Sequence, residues 1–163
     1  MRLSLRVQYA ICAVFDLAYN GVGEPMQVRA ISARQAIPAR YLEQIFRLLR
    51  RAALVDGKRG PGGGYTLARA PAVITLRDVV EAVEGPLDVS CEMAPAADRD
   101  CSLRPDFLWR ELGERLGATL AATTLEELCR EAARVDIERA HHRPDPATPK
   151  TGNRMSAALI LSA

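Results

Sequence analysis

Apolar residues recur at helical spacing from the start of the chain. Val7, Ile11, Val14, Phe15 and Ala18 fall on one stripe, which predicts an amphipathic helix over about 3–20, stopping before Gly21-Val22-Gly23. A shorter helix is expected over 27–36. Ile37-Pro38 breaks it, and Pro38 suits the start of the next helix, where its missing N–H is not needed. Over 39–51, Leu42, Ile45, Phe46, Leu48 and Leu49 form a stripe to be buried, while Arg40, Tyr41, Glu43, Gln44, Arg47, Arg50 and Arg51 take the opposite face. The pattern then shortens to two strand-like runs, Leu54–Lys58 and Tyr65–Ala68, separated by Arg59-Gly-Pro-Gly-Gly-Gly.

That glycine-rich run admits two chemistries. A phosphate-binding loop needs Gly-Lys-Ser/Thr opening a helix, and a dinucleotide fingerprint also leads from strand to helix. Here the glycines lead into a strand, so the expected element is a hairpin wing over about 54–68 with cations at its tip. Helix, tight turn, helix and hairpin make a winged helix-turn-helix, whose second helix enters the DNA major groove. The expected DNA-contacting residues are Arg40, Tyr41, Glu43, Gln44 and Arg47 on that helix and Lys58, Arg59, Pro61 and Gly62 on the wing. A charged helix face is ordinarily just solvated; the wing is what turns the reading toward DNA.

Downstream, Thr75 is a good N-cap for a helix over 76–83 that ends at Gly85-Pro86. Residues 86–104 read as a loop rich in prolines and acids. A long helix then starts near Pro105, with Leu108, Leu112, Leu116 and Leu120 four apart and Trp109 and Thr119 flanking them. So continuous a stripe on an appended helix favours burial against a second subunit, with packing on the winged-helix body as the alternative. Thr124-Leu-Glu-Glu127 is a capping-box pattern that restarts a final helix from Leu125 to about Ala140. The fold class expected is therefore mainly α with a small β-hairpin: a DNA-binding domain over 1–85, an effector loop over 86–104 and dimerisation helices over 105–140. Residues 141–163, Pro-rich and aperiodic, are expected to be a disordered tail. Ala157–Leu161 is too brief to span a membrane.

The formal net charge of +2 implies little about partners. Its distribution implies more: residues 1–80 hold 12 Lys/Arg against 5 Asp/Glu, and the remainder holds 10 against 15. A basic front half and an acidic back half suit a DNA-reading domain joined to one that senses something else. No signal peptide or membrane-length apolar run stands out, so the expected location is cytoplasmic. In that compartment four cysteines point to free thiols, metal ligands or redox sensing rather than structural disulfides. No Cys-x-x-Cys motif or nucleophile–base pattern is visible, so an enzyme is not expected.

Tyr41-Leu-Glu-Gln-Ile45, Leu48-Leu49-Arg50, Leu54-Val55, Arg59–Tyr65 and the run Ile74–Gly85 together resemble the Rrf-two family of bacterial winged-helix repressors. The resemblance extends over about residues 1–140. It implies a homodimer on pseudo-palindromic double-stranded operators, controlled by an effector, often an iron–sulfur cluster, held near the start of the dimerisation helix. Cys91 matches the first and Cys101 the last of three loop cysteines that cluster-binding members carry. No middle cysteine is present, and Arg104 stands where some relatives have His. In some relatives helix 1 of the partner subunit donates ligands at the positions of Gln8 and Cys12, which lie four apart on one helical face. The resemblance thus implies a cluster, [2Fe-2S], on Cys91, Cys101 and Cys12 of the partner subunit, with Gln8, a loop carboxylate or an exogenous group as fourth ligand. The alternatives are a thiol–disulfide switch at Cys91 and Cys101, or no sensing at all, with Cys12 as core. Cys129, among Leu125, Leu128 and Ala132, reads as core.

Overall fold

The computed structural model describes residues 3–21, 23–87 and 105–140. Six helices and one hairpin follow the order α1 (Leu5–Asn20), α2 (Val28–Gln35), α3 (Ala39–Arg51), β1 (Val55–Lys58), β2 (Gly64–Leu67), α4 (Leu76–Glu84), α5 (Asp106–Ala122) and α6 (Leu125–Arg134), with a short 3-10 turn at Pro71–Val73. The fold is mainly helical, a winged helix-turn-helix with a single small hairpin among the described residues. The predicted tail, 141–163, and most of the predicted loop, 88–104, lie outside them.

The helix α1 is the spine. Val7, Ala10, Ala13, Val14 and Leu17 are buried along it, and α2, α3, α4 and α6 all pack against it. Its N-cap is Ser4, whose hydroxyl accepts from the Val7 N–H and donates to Glu84 at the end of α4. From α3, the predicted stripe buries Leu42, Ile45, Phe46 and Leu49, with Leu48 partly covered. Among the described residues a single charge enters this core: Asp16 is fully buried. Its Oδ2 accepts from Arg34 Nη2 at 2.6 Å, and its Oδ1 from Arg34 Nε, Gln35 Nε2 and Asn20 Nδ2, each at 3.0 Å. A buried carboxylate is tolerated when its lone pairs are filled in this way. The result ties α2, the first helix of the reading head, to α1.

Two capping boxes lie side by side. Thr75 and Asp78 cap α4, and Thr124 and Glu127 cap α6. Between them Leu76 N–H donates to Thr123 O at 2.9 Å and Leu125 N–H to Ile74 O at 3.0 Å, so α6 is pinned to the DNA-binding body. Leu125 is fully buried there. The final helix is shorter than its periodicity predicts, ending at Arg134 rather than near Ala140. Asp136 takes a left-handed conformation, φ 54°, and Ile137 N–H turns back to Ala132 O at 3.0 Å, the 6→1 bond of a Schellman cap. Residues 135–140 then form a strap over the end of α1. Ile137 O accepts from the Tyr19 hydroxyl at 2.8 Å, and the Arg139 guanidinium sits 4.8 Å from the Tyr19 ring centre.

On α5 the leucine stripe divides. Leu120 packs against the core, while Phe107, Leu108 and Leu112 are exposed. Among the described residues, no helix is long and apolar enough to cross a membrane.

Replacing Asp16 with Ala removes the acceptor shared by Arg34, Gln35 and Asn20, although the Arg34 guanidinium keeps partial access to water. Urea unfolding should show a loss of about 1–3 kcal/mol, the usual cost of leaving hydrogen-bond donors without their acceptor; no measurable loss would mean that α2 is held by apolar packing alone.

Candidate nucleic-acid interface

The turn between α2 and α3 is fixed locally. Ala36 adopts φ 52°, Ile37 N–H donates to Ser32 O at 3.2 Å, and the Ser32 hydroxyl donates to Ile37 O at 2.6 Å. Ile37 is buried, and Pro38 launches α3. With Leu42, Ile45, Phe46 and Leu49 turned inward, Arg40, Tyr41, Glu43, Gln44 and Arg47 are all exposed along the opposite face. Arg40 lies over the Tyr41 ring at 5.3 Å, and Tyr41 meets Tyr9 of α1 with ring centres 6.2 Å apart. Between α1 and α3 runs a cleft of about 380 Å³, lined by Leu5, Arg6, Tyr9, Tyr41, Gln44, Ile45 and Leu48.

The hairpin pairs Val55 with Leu67 through to Lys58 with Gly64. At its tip Gly63 N–H donates to Gly60 O at 2.8 Å, and Gly62 has φ 73°. Pro61-Gly62 are thus the central residues of a type II turn, in which the second position requires a left-handed residue. At the base, Tyr65 exchanges two backbone hydrogen bonds with Met26, at 2.8 and 2.9 Å, and stacks on Phe46 at 4.4 Å. Gly64 permits this approach: a Cβ there would lie 2.4 Å from Met26 O. The wing is therefore anchored to α3 and to the residues just before α2, and it carries Lys58, Arg59, Pro61 and Gly62 as exposed groups. Among the described residues, no carboxylate forms an ion pair with Arg40, Arg47, Lys58 or Arg59.

Two neighbours went unread in the sequence. Arg50 reaches the hairpin, where a Cβ on Gly57 would stand 3.7 Å from its Nη1. Tyr9 braces Tyr41 from α1. Neither has a spacing signal, because each contact joins residues on separate elements.

The cysteines divide. Cys91 and Cys101 lie outside the described residues. Cys12 is half-buried on α1 and packs against the core, and burial, reinforced by the Asp16 charge one turn on, pushes its thiol up. Gln8, one turn before it, is exposed, and its Nε2 donates to Leu3 O at 2.8 Å. Cys12 thus holds its proton more firmly than an ordinary thiol. No three potential metal ligands cluster among the described residues. Cys129 is half-buried rather than core; burial raises its thiol, Arg139 of the strap counteracts this, and Glu126 adds to it.

Residues 3–131 match the family model Rrf2, described as an iron-dependent transcriptional regulator. The chain belongs to the Rrf2 family. It is 34% identical over 160 residues to the HTH-type transcriptional regulator IscR of Escherichia coli K12, covering 98% of this chain and 99% of the relative. Among solved structures it is similar to T. potens IscR, with TM-score 0.69 and 28% identity over 85% of this chain and 93% of that one. It is also similar to CymR, the global cysteine regulator of B. subtilis, with TM-score 0.67 and 29% identity over 80% and 98%. As a member of the Rrf2 family it is a transcriptional regulator of the IscR and CymR type, a DNA-binding class, and not an enzyme.

Because burial raises the Cys129 thiol, its alkylation by iodoacetamide, followed by peptide mass spectrometry, should rise at a higher pH than that of a free cysteine in the same assay. Arg139→Ala should shift that rise to still higher pH; a shift to lower pH would show that Arg139 does not act on this thiol.

Proposed function

We propose that the protein is a homodimeric repressor that binds pseudo-palindromic operators in the cytoplasm, with its DNA affinity set by an iron–sulfur cluster, [2Fe-2S]. One observation supports the DNA-reading part above all: a cation-bearing face of α3 stands beside an anchored, glycine-tipped wing whose cations have no carboxylate partners among the described residues. In this reading Arg40, Tyr41, Glu43, Gln44 and Arg47 meet base edges and phosphates in the major groove. Lys58, Arg59, Pro61 and Gly62 lie along the backbone and minor groove. The exposed Phe107, Leu108 and Leu112 of α5 support burial against a second copy, which sets two reading heads on one face of the duplex.

The residues that would hold the cluster are Cys91 and Cys101 of one subunit and Cys12 of the partner subunit, with Gln8 as a weaker fourth candidate. When bound, the cluster supplies an electron- and nitric-oxide-sensitive link, responsive also to iron supply, between subunits. The half-buried Cys12 suits a soft ligand on a helix that also braces α2 and α3. A second reading has its own support in the two-cysteine loop: oxidation of Cys91 and Cys101, or a protein partner, switches a cluster-free regulator.

Arg59→Ala should weaken operator binding and lower the slope of log K against log salt by about one, the loss of a single phosphate contact. Glu43→Ala should change sequence preference more than overall affinity, since a carboxylate accepts from cytosine amino groups or rejects wrong sites. Fluorescence anisotropy on operator and scrambled duplexes checks both, and a uniform loss for Glu43→Ala would remove it from base reading. For the effector, anaerobic purification with iron and sulfide assays on the native protein and on Cys12→Ala, Cys91→Ala and Cys101→Ala should show colour lost in all three variants. Colour retained in Cys12→Ala returns that thiol to the core. A colourless, iron-free native protein after reconstitution leaves the thiol or partner reading.

A further inference from the structure

The strap at residues 135–140 and the first helix of the reading head never touch in sequence, yet one side chain joins them. Asn20, in the last turn of α1, accepts from the Ala140 N–H through Oδ1 at 2.8 Å and donates from Nδ2 to Asp16 Oδ1 at 3.0 Å. Its amide orientation is dictated by its partners, because a backbone N–H must donate and a carboxylate must accept. The same Asp16 oxygen accepts from Arg34 Nε and Gln35 Nε2 in the last turn of α2. A continuous hydrogen-bonded path thus runs from the strap through Asn20 and Asp16 to α2, inside a site where Asp16 is fully buried and hydrogen bonds polarise one another. Tyr19, beside Asn20, holds the strap from the other side through its hydroxyl on Ile137 O and its ring under Arg139.

We propose that Asn20 is a positioning residue for DNA reading: the strap, clipped by Asn20, restrains the Asp16 carboxylate and thereby the angle at which α2 presents α3. The proposal rests on the DNA-binding reading above for its functional half. None of the residues on this path is among those proposed to touch DNA, so their effect is on the population of correctly set reading heads and not on contacts. Loosening the clip lets Asp16 turn away from Arg34 and Gln35, and the fraction of heads that match the groove falls.

The test compares Asn20→Ala, a chain ended after Ile137, and the two combined. Hydrogen exchange followed by mass spectrometry should show the amides of residues 33–36 losing protection in both single changes. Operator affinity should fall about three- to tenfold, as expected for one or two hydrogen bonds, with the salt slope unchanged because no phosphate contact is lost. The combined change should be no worse than either alone, since both break the same path. Asn20→Asp, which keeps the acceptor for Ala140 but faces Asp16 with a second carboxylate, should be the weakest binder. Thr124→Ala, which removes the α6 cap and leaves Asn20 untouched, controls for general destabilisation and should leave the exchange at 33–36 as it is. Unchanged protection at 33–36 in both single changes would overturn the path, and so would strictly additive effects. Should the native chain bind no duplex at all, the DNA-binding reading fails while the exchange result still decides the path.

Discussion

The fold turns on a single buried carboxylate. Asp16 draws Asn20, Arg34 and Gln35 into one site at the back of the reading head, and each donor comes with the helix that carries it. A helix as short as α2 has little stability of its own. Its fully buried side chain is Ile31, with Val28 partly covered beside it. The two charge-assisted bonds from Arg34 supply direction as well as energy, because a bidentate guanidinium fixes both distance and plane. The placement of α2 against α1 therefore rests on this contact.

From there the reading surface is braced on three sides. The Ser32 and Ile37 bonds close the turn, Tyr65 stacks on Phe46 beneath α3, and Tyr9 supports Tyr41 at its leading end. The exposed face of α3 is thus the outer side of a rigid block, and its cations lie on a surface shared with the wing. The helix α1 has a divided role. Val7, Ala10, Ala13, Val14 and Leu17 belong to the core and Cys12 packs half-buried against it, whereas Gln8 is exposed. Substitution at Gln8 disturbs folding far less than substitution along the buried stripe.

Much of this was legible in the sequence because punctuation was strong. Pro38, the glycines from Gly60 to Gly64, and the Thr75 and Thr124 caps mark element boundaries by residue types with few alternative uses. Helix ends closed by Ala36, Ala53 and Asp136 in the left-handed region carry no such mark, since those residues ordinarily continue a helix. That is why α6 stops before its apolar periodicity does, with Val135 and Ile137 left exposed. The Asp16 site was illegible for a different reason. An aspartate on an amphipathic helix normally faces water, and only the three-dimensional return of α2 buries it. Arg50 at the hairpin and Asn20 under the strap share that character: each depends on which surfaces meet, a property that local spacing does not encode. The leucine stripe of α5 divides in the same way, for Leu120 found the body while Leu108 and Leu112 did not.

The wing has a kinetic consequence. Its tip turn is set by Pro61-Gly62, its ladder is short but complete, and its base is fastened to Met26 and Phe46. The backbone of this hairpin is ordered before any duplex arrives, so binding does not have to freeze it at about 1–2 kcal/mol per residue. Capture of DNA then depends on long-range attraction of the Arg and Lys groups and on orientation at encounter, with no folding step to wait for.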